Sequence, residues 1–309
     1  MYFKNGSTVT EFILVGFSGE WKLQIFFFVV FSLLYGATVV GNILIMVTVT
    51  FSSTLNSPMY FLLGNLSFLD ICFSTVTTPK MITNLLAEHK TISVGGCMAQ
   101  MFFMHFFGGA EMTLLIVMAF DRYVAICKPL HYRTIMSHKL LNGFVILSWI
   151  IGFIHTMSQM MLLVNLPFYG NNVVNSIFCD IPLVIKLACA ETYTLELFVI
   201  ADSGLLSFIC FILLLVSYTV ILVSVKRKSS RGLSKAFFTL SSHVIVVTLF
   251  FGPCIFIYIW PFSNFSSNKI LDVFYTVITP MLNPCIYTLR NQNMQTAMKK
   301  LWFQHVNSA

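Results

Sequence analysis

Seven runs of about 20 apolar residues, joined by short polar links, are what most limits the folds open to this 309-residue chain. A helix rises about 1.5 Å per residue, so each run is long enough to cross a hydrocarbon core of about 30 Å. The runs cover approximately 23–49, 57–79, 98–126, 140–162, 197–225, 237–260 and 270–289. The links between them are too short for a soluble catalytic domain. Composition agrees, with 57% hydrophobic and only 9% charged residues, where a soluble domain carries about 25% charged. The expected fold is an all-α membrane protein, a seven-transmembrane-helix bundle. It forms a single domain over 1–309, with an extracellular tail at 1–22, spans and loops at 23–289, and a cytoplasmic tail with a short helix at 290–309.

The formal net charge of +7 does not describe a nucleic-acid patch, because the basic residues sort by side. Arg122, Lys128, Arg133 and Lys139 lie between spans three and four; Lys226, Arg227, Lys228, Arg231 and Lys235 between five and six; Arg290, Lys299 and Lys300 after seven. The other links mix acids and bases. The positive-inside rule therefore puts the amino terminus outside and the carboxyl terminus inside. Residues 1–22 hold no apolar stretch bounded by a cleavage pattern, so no signal peptide is expected. The sequon at Asn5 would be translocated and open to glycosylation. The one at Asn65 is inside a span, and the one at Asn264 is too close to the membrane.

The third span, within Cys97 to Pro129, carries the most chemistry. It combines an outer cysteine, a Gly108-Gly109 pair, the intramembrane Glu111 and an inner Asp121-Arg122-Tyr123. A carboxylic acid in a spanning helix is costly unless it faces the bundle interior. The same holds for Asn42, Asp70 and Asn283, which with Glu111 form a mid-membrane polar cluster. Such a cluster can hold a water network or a cation, or only glue helices together; both readings stay open. The third span thus reads as a helix with a ligand end, a switch in its middle and a signalling end.

Helical spacing places Met104, His105 and Gly108 on one face of the third span, Asp202 and Leu206 on one face of the fifth, and Phe251, Cys254, Ile255 and Tyr258 on one face of the sixth. If these faces converge, they enclose a small, mostly apolar cavity with a few polar groups. Asp202 has two resolutions. It is either bonded to neighbours such as Ser203, His105 or Tyr258 and acts as a neutral amide would, or ionised and selects an amine or strong donor. No Gly-rich phosphate loop, metal-ligand spacing or nucleophile–base pair occurs, so neither an enzyme, a cofactor nor a metal is expected. A transporter would show matched halves and a channel repeated polar pore faces; neither pattern is found.

Five stretches carry a resemblance: PMYFLLGNLSFLD (58–70), MAFDRYVAICKPLHY (118–132), SY (217–218), KAFFTLSSH (235–243) and PMLNPCIYTLRN (280–291). With the span count, they resemble the rhodopsin-like G protein-coupled receptors and, more narrowly, the tetrapod olfactory (odorant) receptors. The resemblance implies a pocket for small volatile molecules between helices three, five and six. It implies coupling to a stimulatory, olfactory-type G protein α subunit that raises cAMP, and a place in the plasma membrane of olfactory sensory cilia among membrane lipids, with no nucleic-acid partner. It marks Asp121, Arg122, Tyr123, Tyr218, His243 and Tyr287 as the G-protein switch. Arg122 cannot lose its proton, so it either pairs with Asp121 or turns to a partner's carbonyls when the sixth helix moves outward. A non-olfactory receptor for a small amine on the same fold is the alternative. The chain departs from the family at Phe238 and Leu240, where Ser and Cys are usual, and at Phe251, where Tyr is usual.

Of eight cysteines, Cys97 and Cys179 are both expected outside, in an oxidising compartment, and the resemblance implies that they are bonded. It also implies a second bridge from Cys189, but Tyr169 stands where its partner should be.

Overall fold

A computed structural model describes residues 8–17, 19–228, 241, 243–255, 268–289 and 291–308. Asn5, Tyr258, the Asn264 sequon, Phe238, Leu240 and Arg290 lie outside them. The spanning helices are α1 (Trp21–Phe51), α2 (Pro58–Leu86), α3 (Val94–Cys127), α4 (His138–Leu163) and α5 (Tyr193–Lys228). They are followed by α6 (His243–Ile255) and by α7, built from Asn268–Val273, a π-helical turn at Phe274–Ile278, and Thr279–Leu289. A final helix, α8 (Gln292–Ser308), follows the last span as expected. Among the described residues, six helices are long and apolar enough to cross a membrane, and α6 is a shorter apolar piece.

The helices outrun the apolar stretches that forecast them, for local reasons. Pro79 removes one ladder bond from α2, yet the helix continues to Leu86 because Met81 and Leu85, one turn apart, are both buried. Ser93 caps α3, its hydroxyl accepting from Gly96 N at 3.1 Å, and Ser137 caps α4. In α7, Pro280 has no N–H to give the preceding turn; there the Thr279 hydroxyl donates to Phe274 O at 3.0 Å and the chain widens to a π turn. Asn291 begins α8, its Oδ1 accepting from Met294 N at 3.1 Å and from Tyr60 Oη at 3.1 Å.

Helix α3 is the axis of the bundle, packing against α2, α4 and α5, while α1 lies against α2 and α7. Two glycines set close approaches. A Cβ on Gly41 would stand 3.2 Å from Pro284 Cγ, and one on Gly152 would strike the backbone of α3.

At the outer end the chain adds a three-stranded sheet that the sequence reading had left as part of the tail and loops. Strand β1 (Glu11–Leu14) runs antiparallel to β2 (Thr91–Ser93) and parallel to β3 (Val173–Val174). Its period-two pattern is the cause: Phe12 and Leu14 are buried, Glu11 and Ile13 exposed. Phe12 meets Phe168 edge-on at 5.3 Å. The Cys97–Cys179 disulfide lies in the same apolar cluster and ties the second outer loop to α3. Cys189 is exposed, its thiol 3.2 Å from the Tyr169 carbonyl oxygen.

Candidate functional site

Beneath that loop lies a cavity of about 50 Å³. Helix α3 supplies Met104, His105, Gly108, Gly109 and Met112; α4 supplies His155; α5 supplies Ser203; α6 supplies Cys254; α7 supplies Asp272 and Tyr275. Phe178 and Asp180 of the outer loop close it. Gly108 is needed there for space, since a Cβ would lie 3.0 Å from Tyr275 Oη. The Tyr275 ring is wedged edge-on between Phe73 and Phe250.

The sequence-derived pocket residues divide. Met104, His105, Gly108 and Cys254 line the cavity, whereas Leu206, Phe251 and Ile255 lie in or against the adjoining apolar core. Phe251 packs on Phe211 and Phe250. Asp202 turns towards α4. One of its oxygens is 3.0 Å from His155 Nδ1 and accepts from Gln159 Nε2 at 2.9 Å and from Ser158 Oγ at 3.3 Å, and the side chain is 31% exposed. Those partners differ from the neighbours forecast from the sequence. Tyr258 lies outside the described residues.

His105 donates from Nδ1 to Met101 O at 2.9 Å. Asp180 caps the short helix Ile181–Ile185 by accepting from Ile181 N at 2.9 Å. Burial pushes its carboxyl above the usual range, opposed by nearby His105. The sequence reading missed His155, Ser203, Asp180 and Asp272 as cavity residues. His155 carried a usable signal, an ionisable group inside an apolar span, the same rule that singled out Glu111. The two acids had been counted only as outer-loop charges.

At mid-depth, Asn283 Nδ2 donates to Asp70 Oδ1 at 2.8 Å, and Asn42 Nδ2 donates to Thr38 O and to Pro280 O. Glu111, 1% exposed, stands near enough to Asp70 for their charges to interact. Both oxygens of Glu111, and one each of Asn42, Asp70 and Asn283, have no hydrogen-bond partner among the described residues. Buried acceptors of this kind call for donors or positive charge.

At the inner end, Asp121 pairs with Arg122 and accepts from Tyr132 Oη at 2.6 Å. Burial and the adjacent Asp121 push the Tyr132 phenol above its usual range, so it remains a donor. Tyr218 Oη is bonded directly to His243 Nδ1, and the Tyr287 ring lies 6.5 Å from His243. Tyr123 stands apart from these groups, beside Phe120. Tyr132 is the inner-end residue that the sequence reading did not single out, although it closes one of the matching stretches.

A family model described as "Olfactory receptor" matches residues 31–305. Human "Olfactory receptor 4L1" is 79% identical over 309 residues, covering 100% of this chain and 99% of the relative. Human "Olfactory receptor 4K3" is 60% identical over 301 residues, covering 97% and 96%. Human "Olfactory receptor 4K13" is 60% identical over 296 residues, covering 96% and 97%. The multi-pass helical bundle, the intramembrane polar residues and the outer disulfide are set in a chain that belongs to the olfactory receptor family, a family of G protein-coupled receptors that is not enzymatic.

Proposed function

We propose that this odorant receptor binds small volatile organic molecules in the outer cavity, between α3, α5 and α6 with α4, α7 and the outer loop completing the walls. Binding shifts α6 outward at its inner end, and a helix of a stimulatory, olfactory-type G protein α subunit enters and raises cAMP. The observation that supports this reading is the layout of α3. One helix carries cavity residues Met104 and His105 at its outer end and the Asp121–Arg122 pair at its inner end, so a ligand acts on the element that holds the switch. Glu111 and Asp70 lie between, where a water network or a cation would link the two ends. The setting is the plasma membrane of olfactory sensory cilia.

The test is cAMP output in cells expressing this chain with a stimulatory G protein, screened against a panel of volatiles. Concentration-dependent responses that vanish without receptor are expected. Silence across the panel at verified surface expression would overturn the coupling.

A further inference from the structure

The outer end of the bundle holds three carboxylates in different situations. Asp202 is occupied by His155, Gln159 and Ser158 of α4 and does not line the cavity. Asp180 and Asp272 do line it, close enough for their charges to interact. Asp272 is 9% exposed; its Oδ2 receives only a long bond from Ser176 Oγ at 3.4 Å, and its Oδ1 has no hydrogen bond among the described residues. Lys269, less than one turn away, gives its Nζ to Gly16 O at 2.7 Å, while its charge still acts on Asp272. His105, 8% exposed, has committed Nδ1 to Met101 O. Among the described lining residues there is no Lys or Arg.

A buried carboxylate, Asp272, and a half-buried one, Asp180, face one small cavity and line it with acceptors. Uncompensated, such a lining is costly; its complement is a compact cation carrying several N–H donors. Given the odorant-receptor reading, we propose that the cavity takes small protonated aliphatic amines, Asp272 holding the ammonium with Asp180 as a second acceptor beside it. An ammonium of this kind offers up to three donors, whereas an alcohol offers one and a carboxylate none. Size follows from the volume. A cavity of about 50 Å³ suits an amine with a short alkyl group. Met104 and Met112, unbranched and adaptable, can yield to a somewhat larger alkyl group.

The experiment compares isosteric pairs on cells expressing the chain with a stimulatory G protein: propylamine with propan-1-ol, isobutylamine with isobutanol, and cyclopentylamine with cyclopentanol. Melting of the detergent-purified receptor with each compound provides a readout independent of the G protein. Each amine is expected to act at a concentration about tenfold or more below its alcohol. Asp272→Asn removes that gap, Asp272→Glu keeps it, and Asp202→Asn keeps it. Alcohols matching or exceeding the amines, or an Asp272→Asn variant that shifts both classes alike, overturns the amine site while leaving the odorant-receptor reading intact. Amine-dependent stabilisation of the purified protein without cAMP leaves the amine site standing and overturns the coupling. If no amine gives either stabilisation or cAMP, the amine site is overturned.

Discussion

A Cβ placed on Gly152 would lie 2.6 Å from the carbonyl oxygen of Phe106, and 2.8 Å from the backbone nitrogen of Ala110. Helices α3 and α4 therefore meet backbone to backbone at this point, with Gly109 on the opposing surface 3.1 Å from Gly152 Cα by the same construction. Backbone cannot swing aside as a side chain can. Gly152→Ala is expected to cost about 1–3 kcal/mol, enough to lower the folded-to-unfolded ratio about 5–150-fold in a marginally stable chain. Gly143→Ala in the same helix meets nothing within 4 Å and should leave expression unchanged. Surface staining of both variants checks the contrast; equal staining would refute the close approach.

Tyr132→Phe removes one of the two described donors to Asp121. A hydrogen bond to a charged group contributes about 1.5–3 kcal/mol, so the resting arrangement of Asp121 and Arg122 weakens. Ligand-free cAMP should rise about tenfold relative to the parent chain at equal surface expression. An unchanged basal level would mean that Tyr132 only anchors the loop.

Arg122→Ala should abolish the ligand-driven cAMP response while ligand still stabilises the purified receptor, because the guanidinium stands at the inner end, one helix-length from the cavity. A normal cAMP response in that variant would remove Arg122 from the switch.

Cys97→Ser and Cys179→Ser each open a bond that spans 82 residues, a constraint worth about 3–5 kcal/mol. Both variants should be retained inside the cell and silent. Cys189→Ser should behave as the parent chain, since that thiol is exposed and makes no disulfide. Normal surface delivery of either disulfide variant would show that the bond is dispensable.

Asp180 sets a pH dependence on the extracellular side. Its folded-state pKa is raised, chiefly by burial, with His105 acting the other way. A raised folded pKa means that the stabilising contribution is full below the ordinary carboxylate value of about 3.9 and is lost as pH rises through the raised value. Relative to Asp180→Asn, the parent receptor without ligand should therefore lose melting temperature as pH rises across that window. Parallel melting curves for the two proteins over the whole range would contradict this.

Much of the architecture was legible in the residues alone, because a bilayer leaves few solutions: each run of about 20 apolar residues must satisfy its own backbone bonds as a helix. Polar groups within those runs must face inward, and Asn42, Asp70, Glu111 and Asn283 are all buried. The inner Asp121–Arg122 pair is readable for a related reason, since the two residues are adjacent in the chain and need no tertiary information to pair.

Tertiary structure decided what depends on direction and on partners distant in sequence. Helical spacing put Asp202 on a plausible pocket face, but only the packing of α4 against α5 shows His155, Gln159 and Ser158 occupying it. Asp180 and Asp272, 92 positions apart in the chain, become cavity neighbours only when the disulfide draws the outer loop over α7. Strand β1 is four residues long, too short to form without β2 and β3 beside it. Periodicity reports which face of an element is apolar; which neighbour that face meets is settled by how the helices pack and by the covalent link at Cys97 and Cys179.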